Sequence, residues 1–443
     1  MGNLFGKDCP DTKKQPKQRP GGVGWKAPGG DGGAAVASKG LGGTQKGKLN
    51  PRDFIFSRKQ KEVFVREPGG IGGQQFIVEE CSECEVFLLD HTAALTIDVC
   101  TDCRIFAGPC ESSVFIRDCK DCTVVVACQQ FRARDCTDCT FFLFSATQPV
   151  IESSVGLRFA CYTLDYFSLA GQFAAAKLSV WNNKWSQVYN FTGGGEGDWS
   201  CLPNGAHHRD FTTNSLPDAA RQRVGYTDNT HGAVVPITAG VRGFEAAEET
   251  CFIVVMPGHI DAVLGKLLAV GGGGGRVTTG SPAGPCRLLR TKLFRPQPAQ
   301  SKPFFSDAPS SMAELASSSP VLGMQWAGPG STEAAVSLLA AAGVSVPASP
   351  LTPPPPPPPP PQPTSDPDTG KKGKKKKKKG NANNANHTTG GGGGGGWVGT
   401  ADYYMAAGVD GDGNGSSSEA SAAKAKIFFE LWEEDKSMPV AGS

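Results

Sequence analysis

The chain has 443 residues, with Lys+Arg 44 against Asp+Glu 42. Its 58 Gly and 34 Pro crowd into a few tracts, so the length able to bury a core is nearer roughly 300 residues. Eight of the lysines fall in 371–379, and without them 36 basic residues face 42 acidic ones, which excludes a general nucleic-acid surface on the folded body.

No apolar run approaches the length of a membrane span, and no cleavable signal opens the chain. The 15 cysteines form no obvious secreted framework, so reduced thiols in an intracellular protein are expected.

In chain order, 1–48 reads as a disordered tether of Gly, Pro, Lys and Gln. Gly2 is a candidate for myristoylation, although Gly6 stands where the pattern wants Ser or Thr. One myristate binds membrane with K of only about 10⁴ M⁻¹, so a second signal is needed, for which Cys9 is a palmitoyl candidate beside Lys7, Lys13 and Lys14. Residues 49–200 form the first domain. It starts with strand-like Asp53–Phe56 and Val63–Val65, and the glycines at 69–73 make a turn without the Gly-Lys-Ser/Thr of a phosphate loop. Irregular sequence at 201–248 reads as a linker.

Residues 249–345 alternate strand and helix, with strands at Thr250–Met256 and Val321–Trp326 followed by helices at Ile260–Val270 and Ser331–Ala342, and predict a small α/β domain. A low-complexity insert spans 346–420, with the proline run Pro353–Pro361, Lys374–Lys379 and a glycine run. The prolines suit a polyproline helix for a profilin, SH3 or WW groove, and the lysines a nuclear signal or an anionic surface. Asp410-Gly-Asp-Gly-Asn-Gly415 begins like a calcium loop but has Ser421 at its twelfth position, not Glu. Residues 421–443, with Ile427, Phe428, Phe429, Leu431 and Trp432, are expected to complete the α/β domain.

The most informative stretch is 74–144, where Cys-x-x-Cys recurs at Cys81/Cys84, Cys100/Cys103, Cys119/Cys122 and Cys136/Cys139. The first cysteines stand 19, 19 and 17 residues apart. The first two pairs satisfy zinc-ribbon spacing. The motif continues for two more rounds, however, and the residues between are also periodic. Aligned on the first cysteines, Phe76, Leu95, Val114 and Phe131 stack in one column, and Val78, Ile97, Ile116 and Ala133 in another. A second strand follows each pair, at Val86–Leu89, Ile105–Ala107, Val124–Val126 and Phe141–Phe144. The economical reading is a right-handed parallel β-helix whose Cys pairs turn corners and pack their thiols in a ladder, with no metal.

The outward columns differ from coil to coil. One reads Glu79, Asp98, Arg117, Arg134, a charge ladder suited to solvent. The other reads Ile77, Thr96, Phe115, Arg132, an apolar stripe ending in an arginine, the composition of a binding surface. The alternative is that Arg132 merely continues the ion-paired face beside Arg134.

Several segments resemble the tubulin cofactor C-like domain family over roughly residues 50–200: Gly73-Gln-Gln-Phe76, Asp90-His91, Ala127-Cys-Gln-Gln-Phe-Arg-Ala-Arg-Asp-Cys136, Ala146-Thr-Gln-Pro-Val-Ile-Glu-Ser153, Trp181-Asn-Asn-Lys-Trp185 and Asn190-Phe191. The resemblance implies a non-enzymatic activator of GTP hydrolysis by an Arf-like small GTPase in its GTP form, working in the sorting of lipidated cargo. It places the protein on the cytoplasmic face of the plasma membrane and at the cilium or flagellum and its basal body. It gives Arg132 the role of catalytic arginine finger, and puts Gln130, Glu152 and Phe191 at the GTPase interface, beside Phe115 and Ile77 of the outward column. GTP and Mg²⁺ belong to the partner, and no cofactor is expected on this chain. Relatives carry a C-terminal ferredoxin-like domain resembling nucleoside diphosphate kinases. Here no Asn-x-x-His-Gly-Ser-Asp motif occurs, and His259 lacks that context, so a non-catalytic domain is expected. Asn3 stands where the family often has a second acylated cysteine. A non-catalytic GTPase scaffold and an activator of tubulin's GTPase are the competing readings. Asn190-Phe191-Thr192 is also a glycosylation sequon, silent in a cytosolic protein.

Overall fold

The computed structural model describes residues 50–193, 195, 197–212, 216–226, 234–241, 249–270, 276–277, 286–306, 308–345, 398–400, 403–407 and 416–431. Gly2, Cys9, the polyproline and lysine runs, the Asp410 tract and Trp432 lie outside the described residues. In chain order the first domain has strands β1 (Ile55–Ser57), β2 (Val63–Arg66), β3 (Phe76–Glu79), β4 (Glu85–Leu88), β5 (Leu95–Asp98), β6 (Arg104–Arg117), β7 (Thr123–Arg134), β8 (Thr140–Ser145), β9 (Val150–Glu152), β10 (Leu157–Cys161), β11 (Tyr189–Asn190) and β12 (Trp199–Cys201). All their pairings are parallel, as in a β-helix. One face stacks β1, β3, β5, the ends of β6 and β7, then β9 and β11, while the other stacks β2, β4, the starts of β6 and β7, then β8, β10 and β12.

The register fixes the columns read from the repeat. Ile77 pairs with Thr96, Thr96 with Phe115, and Phe115 with Arg132, while Phe76, Leu95, Val114 and Phe131 pair inside. Phe76, Val78, Leu95, Ile97, Val114, Ile116 and Phe131 are fully buried and fill the solenoid together with the corner cysteines. The second face is covered on both sides, which is why its strands read as continuous apolar runs. Val86, Leu88, Ile105 and Val124 point into the solenoid, and Phe87, Phe106, Val125 and Phe142 point out under a pad. The pad carries α1 (Leu169–Ala175), α2 (Asp218–Val224), and Leu216, Tyr226 and Val235. The stretch 201–248, expected as a linker, therefore packs on the solenoid over its described residues up to Val235. Its anchors are buried His208, bonded to Thr163 Oγ1 at 2.7 Å and Tyr226 Oη at 3.0 Å, and the α2 residues Ala220 and Val224.

The corners are made differently from the expectation. The residue before each cysteine adopts left-handed backbone: Glu80, Glu83, Val99, Asp102, Asp118, Asp121, Asp135 and Asp138 all have φ of 52–54°. Asp tolerates that region better than most residues, since its short side chain bonds locally. The same turns occur without cysteine at Arg58 and Lys61 before the repeat, and at Ser153 and Gly156 after it. The backbone therefore turns the corner, and the thiols fill it. Each thiol donates to the carbonyl two residues back, as Cys84 Sγ does to Ser82 O at 3.3 Å. Several also reach the coil below, as Cys119 Sγ does to Ile97 O at 3.7 Å and Cys122 Sγ to Cys100 O at 3.5 Å. A thiol that donates to a carbonyl must keep its proton, which is the state suited to a dry ladder.

The coil ending at Cys136 is two residues shorter than the one before, and the difference is localised. Phe106 pairs with Val125 but Pro109 with Ala127, and Cys110 pairs with Cys128 but Ser113 with Gln130. Two single-residue bulges in β6 therefore absorb the mismatch on the third side of the coil, and both strand stacks stay in register.

The second domain has β13 (Thr250–Val255), α3 (Ile260–Val270), β14 (Arg276–Val277), β15 (Cys286–Phe294), α4 (Pro298–Phe304), α5 (Ser310–Ser318), β16 (Val321–Ala327), α6 (Ser331–Ala341), β17 (Val398–Thr400), β18 (Tyr403–Ala407) and α7 (Ser416–Lys426). Its sheet runs β14-β15-β16-β13-β18-β17 with antiparallel neighbours. Residues of α3 and α6 cover one face, and those of α4, α5 and α7 the other. The insert expected at 346–420 ends earlier than its composition suggested, because β17, β18 and the start of α7 fall inside it. Tyr403–Ala407 pairs along β13, and the segment after 421 joins the same core, with Phe428 seated over Gly323, where a Cβ would come within 2.2 Å of its ring.

Candidate functional site

A groove of about 360 Å³ opens on the first face, lined by Phe115, Ile116, Arg117, Arg132, Ala133, Arg134, Val150, Glu152, Tyr189 and Phe191. Its floor is strand backbone and inward residues, and its walls are the two outward columns. The Arg132 column continues past where the cysteine repeat stops, since Arg132 pairs with Val150 and Val150 with Tyr189. The charged column likewise extends from Arg134 to Glu152.

Within these walls the arginines are not equivalent. Arg117 holds Asp98 with both ends of its fork, Nε on Oδ1 at 2.8 Å and Nη2 on Oδ2. That hydrogen bond raises the Arg117 guanidinium above its ordinary pKa. Arg134 Nε pairs with Asp135 Oδ2 at 3.2 Å. Arg132 is exposed, and with the described residues it makes neither ion pair nor hydrogen bond. The Glu152 carboxylate is equally uncommitted among them.

The far rim is aromatic. Tyr189 N donates to Pro149 O and Phe191 N to Ile151 O, both at 2.8 Å, so the backbone is pinned to β9. The rings stand outward, 50% and 66% exposed, with centroids 6.5 Å apart. Asn190 spends its amide on Asp198 Oδ2 at 2.8 Å. With Phe115, 37% exposed on the opposite side, the guanidinium is framed by apolar surface that a partner would cover.

The structure thus gathers Phe115, Arg132, Glu152 and Phe191 in one groove. Gln130 and Ile77 lie outside its lining. Ile77 is two coils away from Phe115 along the column. Gln130 follows the second bulge, half-buried, and its Oε1 accepts from Ser113 Oγ at 3.2 Å, which leaves its NH₂ as the free end. Val150 and Tyr189 belong to the groove although the cysteine alignment stopped before them. Extending the outward column across Pro149-Val-Ile-Glu152 would have found Val150. The corner thiols lie inside the solenoid, and among the described residues no three His, Cys, Asp or Glu side chains converge to hold a metal. His259 stands at the entry to α3, its carbonyl accepting Val263 N. No helix of the described residues is long and apolar enough to cross a membrane.

A parallel β-helix with this groove on its first face is a cofactor C domain, and residues 73–191 match the family model described as tubulin binding cofactor C. The chain is 39% identical over 288 residues to Protein XRP2 of Danio rerio, covering 65% of this chain and 74% of that one. It is also 39% identical over 292 residues to Protein XRP2 of Gallus gallus, covering 65% and 78%. Likeness to the tubulin-specific chaperone C of Homo sapiens is lower, 30% over 152 residues, covering 33% and 44%. The chain belongs to the XRP2 family.

Proposed function

We propose that the protein activates GTP hydrolysis by an Arf-like small GTPase, delivering Arg132 into the partner's nucleotide site. The observation that carries this reading is the contrast among the groove's arginines: Arg117 and Arg134 are held by carboxylates, and Arg132 alone of the three is uncommitted among the described residues. Hydrolysis builds charge on the γ-phosphate and β–γ bridge oxygens, and a planar guanidinium supplied in trans stabilises it. The rim of Phe115, Val150, Tyr189 and Phe191 excludes water once a partner docks, which strengthens the interaction in the closed site. Glu152 offers an acceptor to a basic group of the partner, and the free amide of Gln130 offers a donor. GTP and Mg²⁺ are the GTPase's own.

The test is single-turnover hydrolysis by purified Arf-like GTPases with saturating wild-type or Arg132→Ala protein. The variant is expected to lose stimulation while retaining part of its binding to the GTP form. Arg132→Lys is expected to be badly impaired, because lysine lacks the fork. Stimulation of wild-type size by Arg132→Ala would sink the proposal and leave a non-catalytic effector or scaffold. Relatives are named for tubulin, so the same assay on tubulin separates the remaining reading.

The wider setting is proposed with it: acylation at Gly2 with Cys9 as second signal, and work on lipidated cargo at the cytoplasmic face of the plasma membrane and the cilium or flagellum base. Mass spectrometry of the N-terminal peptide from cells decides the acylation. The C-terminal domain is read as ferredoxin-like and non-catalytic, from the succession β13, α3, β15, β16, α6, β18 with sheet order β15-β16-β13-β18.

A further inference from the structure

The segment Trp181–Ser186 is bonded to both domains, its first two residues to the α/β domain and the next ones to the solenoid. Trp181 is buried in the core of the α/β domain, and its carbonyl accepts from Thr291 Oγ1 at 2.7 Å. Asn182 closes a ring with a single residue of β15: its Nδ2 donates to Leu293 O at 3.1 Å, and its Oδ1 accepts from Leu293 N at 2.8 Å. Paired strands exchange the same two bonds, and among the described residues β14 pairs with β15 at Cys286 and Arg287. The Asn182 side chain thus makes at Leu293 the pair of bonds that a neighbouring strand would make.

The next residues turn the other way. Asn183 Oδ1 accepts from Ser145 N at 3.0 Å, and its Nδ2 donates to Leu143 O at 3.3 Å, both at the end of β8. Trp185 is buried in the solenoid, with Nε1 donating to Thr238 Oγ1 at 2.9 Å. A second clasp runs beside the first, since Ala239 N donates to Leu288 O at 2.8 Å and Gly240 N to Leu289 O at 3.1 Å. Gly240 has φ of 77° and lies so close that a Cβ would meet Ser186 Cβ at 2.6 Å, so the two segments are locked together.

Three residues after Ser186 the chain becomes the aromatic rim. Gln187 N donates to Lys184 O at 2.9 Å, and Tyr189 N is already paired to Pro149. The placement of Tyr189 and Phe191 is therefore set by β9 on one side and, through this strap, by β15 on the other. Arg132 is held by β6 and β9 and owes nothing to the strap.

We propose that Asn182 is a positioning residue for the groove: by clasping Leu293 it ties the α/β domain to the strand bearing Tyr189 and Phe191, so that the α/β domain sets how tightly the groove takes its protein partner. The nature of that partner rests on the GTPase reading above; the clasp itself does not. The consequence is a division of labour, with the strap governing affinity and Arg132 governing the chemical step.

The experiment compares full-length wild-type protein with Asn182→Ala and, separately, Thr291→Val, which removes the bond to Trp181 O at nearly constant volume. Hydrolysis by GTP-loaded Arf-like GTPases is followed against activator concentration, and amide hydrogen exchange is read on the activator alone. Both variants are expected to raise the half-saturating concentration about five- to tenfold with the saturating rate within about twofold. Exchange at Tyr189 and Phe191 should quicken about tenfold or more while that at Phe131 and Ala133 stays put. Unchanged half-saturation in both variants overturns the proposal, as does unchanged exchange at Tyr189 and Phe191. If wild-type protein stimulates no GTPase, the functional reading falls, and the exchange data still decide the clasp.

Discussion

The inner corner and the outer groove of the β-helix are built by the same coils and obey opposite rules. At the corner the four cysteine coils repeat one another: left-handed residue, thiol, donor to carbonyl. Along the groove each coil contributes something different, from Ile77 and Thr96 through Phe115 to Arg132, Val150 and Tyr189. Repetition holds positions in register, and departure from it makes the groove unlike the rest of the face. The cysteines attract attention by their number, yet their donors are consumed internally, while the Arg132 guanidinium is uncommitted among the described residues.

The largest test of that contrast sets Arg132→Ala against Arg117→Ala. Loss of Arg132 should reduce stimulated hydrolysis on the order of 10³–10⁵-fold, and loss of the ion-paired Arg117 by less than about threefold. Equal losses in single-turnover assays would erase the distinction between committed and uncommitted arginines. Next comes Phe131→Ala, one residue away but pointing inward against Phe141 and Phe159. It should cost about 3–5 kcal/mol in urea unfolding, because a fully buried ring leaves a cavity that strands on both sides cannot close. Cys122→Ala should cost about 1–2 kcal/mol, with no change in the metal content of the purified protein. A cost above that of Phe131→Ala would restore a larger role to the sulfurs.

The pad over the second face adds a pH prediction. Burial holds His208 well below the usual histidine value, so it is neutral in the folded protein. The unfolded chain binds the proton more readily, and stability is therefore complete above about pH 6.5 and falls as pH drops toward the depressed folded value, by at most about 1.4 kcal/mol per pH unit. His208→Gln should flatten that slope in denaturation curves at pH 5 to 7, and an unchanged slope would refute the assignment. The smallest effect is Arg117→Met on stability, about 0–1 kcal/mol, since the pair with Asp98 is half open to solvent.

How much was legible in sequence follows from which features are periodic. The columns repeat, so the strands, their facing and the outlying Arg132 were readable from spacing alone. The corner turns carry a weaker signal: an acidic residue precedes seven of the eight ladder cysteines, Val99 being the exception. The pad at 201–226 was invisible because Leu216, Ala220, Val224 and Tyr226 are scattered among polar residues with no period longer than one short helix. Strand β18 was hidden by glycine-rich surroundings, although Tyr403-Tyr-Met-Ala-Ala407 is a fair strand by itself. Placing Phe191 needed the partner strand β9, and a pairing across nearly 40 residues leaves no local mark.

The two bulges of β6, one between Phe106 and Pro109 and one between Cys110 and Ser113, have a consequence for how such a molecule changes over time. Because the third side absorbs the length difference, coils can gain or lose residues there without shifting either strand stack. That side works like the sliding jaw of a caliper, with the cysteine corner as its fixed jaw. Gln130, paired with Ser113, and Arg132, paired with Phe115, both lie past the second bulge and share the register of the fixed side. Insertions and deletions among relatives should therefore collect between Ala107 and Ser113, while Gln130 and the Arg132 guanidinium stay where the stack puts them.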